Sequence, residues 1–274
     1  MEDMEAFGRL VTALRPWLGQ LVVVGGWAHR LHRFHRLAKP PDHSPLRTRD
    51  TDLAFSSDEA LVGDLLAALT DAGFTEELFG DDAPPATHYG LGEEDDGFYA
   101  EFLTPLVGSE TKRGKRDASV RKAGITAQKL RYLDLLLVKP WSVRGGRGRE
   151  VPIAVEVKLF VPNPTSFIVQ KLLIHSDRPP HKQAQDILYI HDTLELFAGS
   201  LGELRRVWVE ELRPQMAPKT SKRADTVARG LFAEVTDTIR EAARMPQDRR
   251  LAPENVQRAC EYGLGEILQV ERRA

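Results

Sequence analysis

Three features of the sequence predict an α/β or α+β amino-terminal part followed by a helical carboxy-terminal domain. Short runs rich in β-branched and aromatic residues are confined to the part before Pro162-Asn163-Pro164. Helical periodicity alternates with those runs there, and beyond Pro164 it is almost the only pattern. The Pro-Asn-Pro break marks the change, giving an expected α/β domain over 1–162 and a helical domain over 163–274.

In chain order, Phe7, Leu10, Val11, Leu14 and Leu18 recur at helical spacing, which predicts an amphipathic helix over 4–18. Leu21 to Val24 is a buried strand that ends at Gly25-Gly26, and a helix follows over 28–37 until Lys39-Pro40-Pro41. The polar stretch DHSPLRTRD leads into a second strand, Thr51 to Phe55. A helix is expected over 58–72, capped by Ser57 or Asp58, carrying Leu61, Leu65, Leu66 and Leu69 and stopped by Gly73. The acidic loop LGEEDDG precedes a third strand, Phe98 to Leu103. Apolar runs at 133–138 and 151–159 flank VRGGRGRE, which has the composition of a turn. Helices are then expected over 165–175, 182–197, 201–212, 224–244 and 253–270.

The 274 residues are 42% hydrophobic and 28% charged, enough for a packed core, and the net charge of −2 excludes a strongly basic nucleic-acid footprint over the whole chain. The single cysteine, Cys260, rules out an internal disulfide and a cysteine metal site, which fits a reducing compartment. MEDMEAFGRL lacks the basic leader and apolar block of a secretory signal, and no apolar run is long enough to cross a bilayer. A cytoplasmic protein with no membrane partner is the expectation.

Chemistry concentrates in three places. Asp50 and Asp52 lie two apart on an extended chain, so both carboxylates leave the same face. Hard, converging oxygen donors suit Mg²⁺, with Mn²⁺ as a substitute. Glu101 lies amid the apolar residues of FYAEFL, where a carboxylate needs a cation partner or a proton. Gly25-Gly26 lets backbone N–H groups approach a polyphosphate, and the next helix turns its positive end toward it. Each feature has an ordinary alternative: a polar turn for the aspartates, a solvent-facing pair for Glu101, a tight turn for the glycines.

The order strand, Gly-Gly, helix, Asp-x-Asp strand, helix, Glu strand resembles the polymerase-β-like nucleotidyltransferase superfamily over about Leu21 to Leu103, carried by VVVGGWA, TRDTDLAF and FYAEFL. Around GGWA and TRDTDL the chain is similar to aminoglycoside and lincosamide nucleotidyltransferases. The stretch PNPTSFIVQKLLIHSDRPPHKQAQDILYI resembles the AbiEii-type toxin nucleotidyltransferases.

The resemblance implies an α+β fold, a nucleotidyltransferase-type mixed sheet with flanking helices, and transfer of a nucleoside monophosphate from a nucleoside triphosphate such as ATP to an acceptor hydroxyl. It implies Mg²⁺ held by Asp50, Asp52 and Glu101, a phosphate cradle at Gly25 and Gly26, and a phosphate contact by Lys171, with Asp186 on the next helix. Many members carry Ser or Thr where this chain has Trp27, so Thr48 is the substitute hydroxyl, and Arg49 is a further phosphate candidate.

For the acceptor, the Lys171 and Asp186 stretch together with the basic run Lys112 to Lys122 points to RNA, such as a tRNA end, or to a protein hydroxyl. Such a toxin-like enzyme would have a cognate antitoxin as a possible partner. The alternative is a cationic small molecule such as an antibiotic, drawn to the acidic loop Glu93 to Asp96, and a third reading is a silent nucleotide-binding module. His29, His32 and His35 have helical spacing but no fourth ligand, and Arg30, Arg33 and Arg36 between them predict a solvated or acceptor-facing basic surface rather than a zinc site.

Overall fold

A computed structural model of the chain describes residues 3–79, 86–92, 97–108, 111–112, 115–116, 118–146, 148 and 151–269. The chain divides into two compact units, Met1–Phe34 with Arg47–Pro162 and His35–Leu46 with Asn163–Ala274. The first contains α1 (Asp3–Ala13), β1 (Val22–Val24), α2 (Gly25–His32), β2 (Asp50–Ala54) and α3 (Leu65–Asp71). After these come β3 (Thr75–Phe79), β4 (Ala86–Leu91), β5 (Phe98–Pro105), β6 (Thr111–Lys112) and β7 (Lys115–Arg116). The strands β8 (Ser119–Lys122), β9 (Ile125–Leu130), β10 (Trp141–Gly146), β11 (Val151–Pro152) and β12 (Val157–Val161) complete the unit. The second unit carries α4 (Pro164–Ile174), α5 (Pro180–Leu196), α6 (Leu201–Arg206), α7 (Pro218–Leu231), α8 (Asp237–Arg244) and α9 (Pro253–Leu268).

The architecture is α+β, a central mixed sheet with flanking helices and a helical carboxy-terminal region. Strand order is β11-β10-β12-β1-β2-β5-β4-β3, with β9 pairing β5 and β8 pairing β9. Chain connectivity makes β2 antiparallel to β1 but parallel to β5. One sheet face is dry: Thr51, Leu53, Tyr89, Phe98, Ala100 and Phe102 are all buried. The other face is divided. Near one end Val22, Ala54 and Leu103 are covered by Leu136 of a 3-10 turn and by Leu133 just before it, while toward the start of β2 and β5 the face carries polar side chains. The apolar run at 133–138 thus serves as a lid on the sheet.

Several helices are shorter than their periodicity predicts, for local reasons. The helix expected over 58–72 starts only at Leu65. Gly63 takes φ +100°, and Asp64, rather than Ser57 or Asp58, accepts the cap bond from Ala67 N at 2.9 Å. The helix expected over 28–37 begins earlier, at Gly25, and ends at His32. The pattern over 224–244 is two helices, because the Thr236 side chain caps a new start by accepting from Ile239 N at 3.3 Å. Asn163 caps α4 through Ser166 N at 2.8 Å, and Pro164 fills the first helical position. After α6 the chain widens into a π-helical stretch over Val207–Leu212. Among the described residues no helix is long and apolar enough to cross a membrane.

Candidate active site

The uncovered part of the sheet face gathers the acidic residues. In the parallel ladder Asp50 lies beside Tyr99 and Asp52 beside Glu101. In the antiparallel ladders Gly90 meets Tyr99 and Tyr89 meets Ala100, so one residue further along β4 His88 faces Glu101 of β5, and on its other side His88 meets Glu77. Paired residues share a face, so Asp52, Glu101, His88 and Glu77 form one row and Asp50, Tyr99 and Gly90 the next. All are partly exposed, while their strand neighbours Thr51, Ala100 and Tyr89 are buried.

The contacts show how close these groups come. Burial, then the negative charges of Asp50, Glu101 and Asp52, push the Tyr99 phenol up to about 12, with Arg49 opposing them. All three carboxylates and Arg49 therefore act on one hydroxyl. The Thr48 hydroxyl donates to Asp50 Oδ1. His88 Nε2 lies 2.7 Å from Glu101 Oε1, both side chains 18% exposed, and the His88 ring stacks on Tyr99 at 4.4 Å and 13°. A Cβ at Gly90 would lie 2.8 Å from a Glu77 carboxylate oxygen, so glycine there leaves room for that acid beside Tyr99.

Gly25 takes φ +63°, a left-handed conformation that suits glycine, and a Cβ there would collide with the Asp52 carboxylate. The turn that opens α2 is thus pressed against the second aspartate, with Gly26 next in the helix, and no side-chain cap bond occupies the α2 start. Trp27, which stands where a hydroxyl was expected, is fully buried. It stacks on Phe7 at 4.2 Å and meets Phe98 edge-on at 5.9 Å. It is a packing anchor for α2.

The histidines of this region correct the expectation of a solvated basic surface. His29 and His32 are buried, and His32 Nε2 bonds the Pro162 carbonyl at 2.8 Å. Arg30 lies over the Trp27 ring at 4.6 Å and pairs with Asp3 at 3.7 Å.

In the second unit Lys171 on α4 and Asp186 on α5 meet at 2.8 Å. Asp186 is fully buried, Lys171 nearly so, and Arg178 approaches the other Asp186 oxygen at 3.3 Å. The Lys171 ammonium also lies over the Phe167 and Tyr189 rings, at 5.6 and 5.2 Å. This is an internal ion pair closing two helices on each other.

Among the described residues, the one trio whose ligand atoms all lie within 4.8 Å of each other is His43, Asp192 and Glu195. Arg249 already spans both Asp192 oxygens at 2.6 Å and abuts His43, so this cluster has a resident cation. Asp50, Asp52 and Glu101 share a face without closing that tightly. They still fit a divalent ion: the donors are all carboxylate oxygens, the strip is reachable from solvent, and the backbone at Gly25 leaves the space beside Asp52 free of Cβ.

Two further groups bear on the expected chemistry. Lys122 is committed to the backbone, donating to the carbonyls of Ser57 and Glu59, and parts of the basic run (113, 114, 117) lie outside the described residues, as does the acidic loop Glu93 to Asp96. Cys260 is fully buried and burial raises its thiol, so it is no nucleophile.

Sequence reasoning missed Tyr99, His88 and Glu77 at this face. Buried and half-buried positions alternate over 87–91, but the sequence there has too few apolar residues to read as a strand, and only the register against β5 brings His88 to Glu101.

No curated protein and no solved structure matches the chain. A family model described as a nucleotidyltransferase matches residues 3–212, covering the whole sheet and the helices through α6. The chain therefore belongs to a nucleotidyltransferase family and is a transferase of the kind that moves a nucleoside monophosphate.

Proposed function

We propose that the enzyme is metal-dependent and that Asp50, Asp52 and Glu101 form its active site, with Mg²⁺ as the ion and Mn²⁺ as a substitute. The observation that carries this is the three carboxylates on one uncovered sheet face, the Gly25 turn pressed against Asp52. Bound there, the ion supplies electrostatic stabilisation of the attacking and leaving oxygens. The residues provide the rest. Asp50, oriented by the Thr48 hydroxyl, and Asp52 hold the ion. The amides of Gly25 and Gly26 at the α2 start face the phosphates, and Arg49 offsets their charge. Glu101 completes the ligand set or takes the proton from the attacking hydroxyl, which attacks the α-phosphorus as pyrophosphate leaves. Within the second unit Lys171 is held by Asp186, so the phosphate contact expected of it requires the ammonium to leave that carboxylate.

For the acceptor, the resemblance of 162–190 to AbiEii-type enzymes supports RNA or a protein hydroxyl, with a toxin-like role and a cognate antitoxin. A second reading, a cationic small molecule of the aminoglycoside kind, is favoured by Glu77, which adds a carboxylate to the same face. Labelled nucleoside triphosphates and Mg²⁺ are incubated with total RNA, protein extract or aminoglycosides. One pool is expected to take up label, and Asp50→Ala or Asp52→Ala to lower the rate by at least about 10²-fold with the fold retained. Wild-type rates in either variant refute the site, and triphosphate binding with no transfer to any pool favours the silent module.

A further inference from the structure

We infer that His88 is a positioning residue for Glu101, holding one carboxylate oxygen so that the other is presented to the reaction centre beside Asp52. This rests on the site proposed above.

Four observations point the same way. The antiparallel pairing of Gly90 with Tyr99 and Tyr89 with Ala100, carried one residue further, sets His88 opposite Glu101, the spacing at which cross-strand side chains interact. Nε2 and Oε1 are 2.7 Å apart, a distance at which an imidazole nitrogen that carries its hydrogen can donate to a carboxylate oxygen. The imidazole cannot swing freely, because it lies flat against the Tyr99 ring, with centroids 4.4 Å apart. Finally, the three carboxylates share a face without closing to 4.8 Å. The group bonded to Glu101 therefore decides how far that side chain reaches toward the aspartates. Outer partners of this kind orient an inner carboxylate, and losing one costs roughly 10–100-fold in activity or metal affinity.

Two substitutions separate the parts of the role. His88→Phe keeps a ring on Tyr99 and removes the donor; His88→Gln keeps an N–H donor and removes the ring. With whichever acceptor pool takes up label, His88→Phe is expected to lower kcat about 10–100-fold while leaving KM for the triphosphate unchanged. His88→Gln is expected to recover most of that loss. In a Glu101→Gln background His88→Phe should cost nothing further, because its effect passes through that carboxylate.

A second readout does not need turnover. Calorimetric titration of Mn²⁺ into the resting protein should show His88→Phe and Glu101→Gln weakening binding together. Full activity in His88→Phe, an additive loss in the Glu101→Gln background, or Mn²⁺ binding weakened by only one of the two substitutions overturns the inference. If Asp52→Ala is inactive while His88→Phe is wild type, only the His88 role fails; if Asp52→Ala is active, the site itself fails.

Discussion

The sheet face of the first unit and the α4–α5 pair of the second treat carboxylates in opposite ways. Asp186 is fully out of water and is met by both Lys171 and Arg178. Asp50, Asp52 and Glu101 keep contact with solvent and are oriented by a hydroxyl, a glycine turn and an imidazole. A buried acid must find its counter-charge within the fold, whereas a solvent-reachable one can be left for a ligand to complete. Sequence alone gives both sets the same residue types, and burial separates them.

The sharpest way to break this contrast is Asp186→Ala. Removing the shared anion leaves the Lys171 ammonium buried without it, so unfolding in urea should show a loss of about 3–5 kcal/mol. A loss under about 1 kcal/mol, the range of surface pairs, would show that the second cluster is not structural. Gly25→Ala is expected to do less to stability, about 1–2 kcal/mol for the left-handed backbone, and more to catalysis, since the new Cβ displaces the Asp52 carboxylate. Chemical denaturation and the labelled-triphosphate assay on the same preparation check both halves; unchanged transfer rates would detach the glycine turn from the chemistry.

The smallest effect concerns His35, whose pKa is lowered from 6.5 to about 4 by burial and by Arg36. The folded state disfavours the charged ring. Its contribution is therefore complete above about pH 6.5, where the unfolded chain is also neutral, and is lost as pH falls toward 4. Melting temperatures between pH 7 and 4 should fall more steeply for the wild type than for His35→Gln. Parallel curves would remove this residue from the acid response.

Much of the architecture was legible. Val22–Val24, Asp50–Ala54 and Phe98–Pro105 carry β-branched or alternating residues, and Asp-x-Asp on an extended chain fixes a common face whatever the tertiary context. What escaped depended on distant pairing. Thr75–Phe79 and Ala86–Leu91 have too few apolar residues to read as strands; they are strands because they pair with each other, and β4 with β5. His88 became visible only through that register. The basic helix after Gly-Gly misled for a related reason: arginine at every third position implies a wet surface, yet His29 and His32 are packed inside.

Trp27 carries one last consequence. Wedged flat against Phe7 and edge-on to Phe98, its indole stops α2 from sliding or rolling over the sheet. In the site proposed above, the peptide dipoles at the head of that helix would hold their aim before any nucleotide arrives, and docking phosphates at this end would cost little rearrangement.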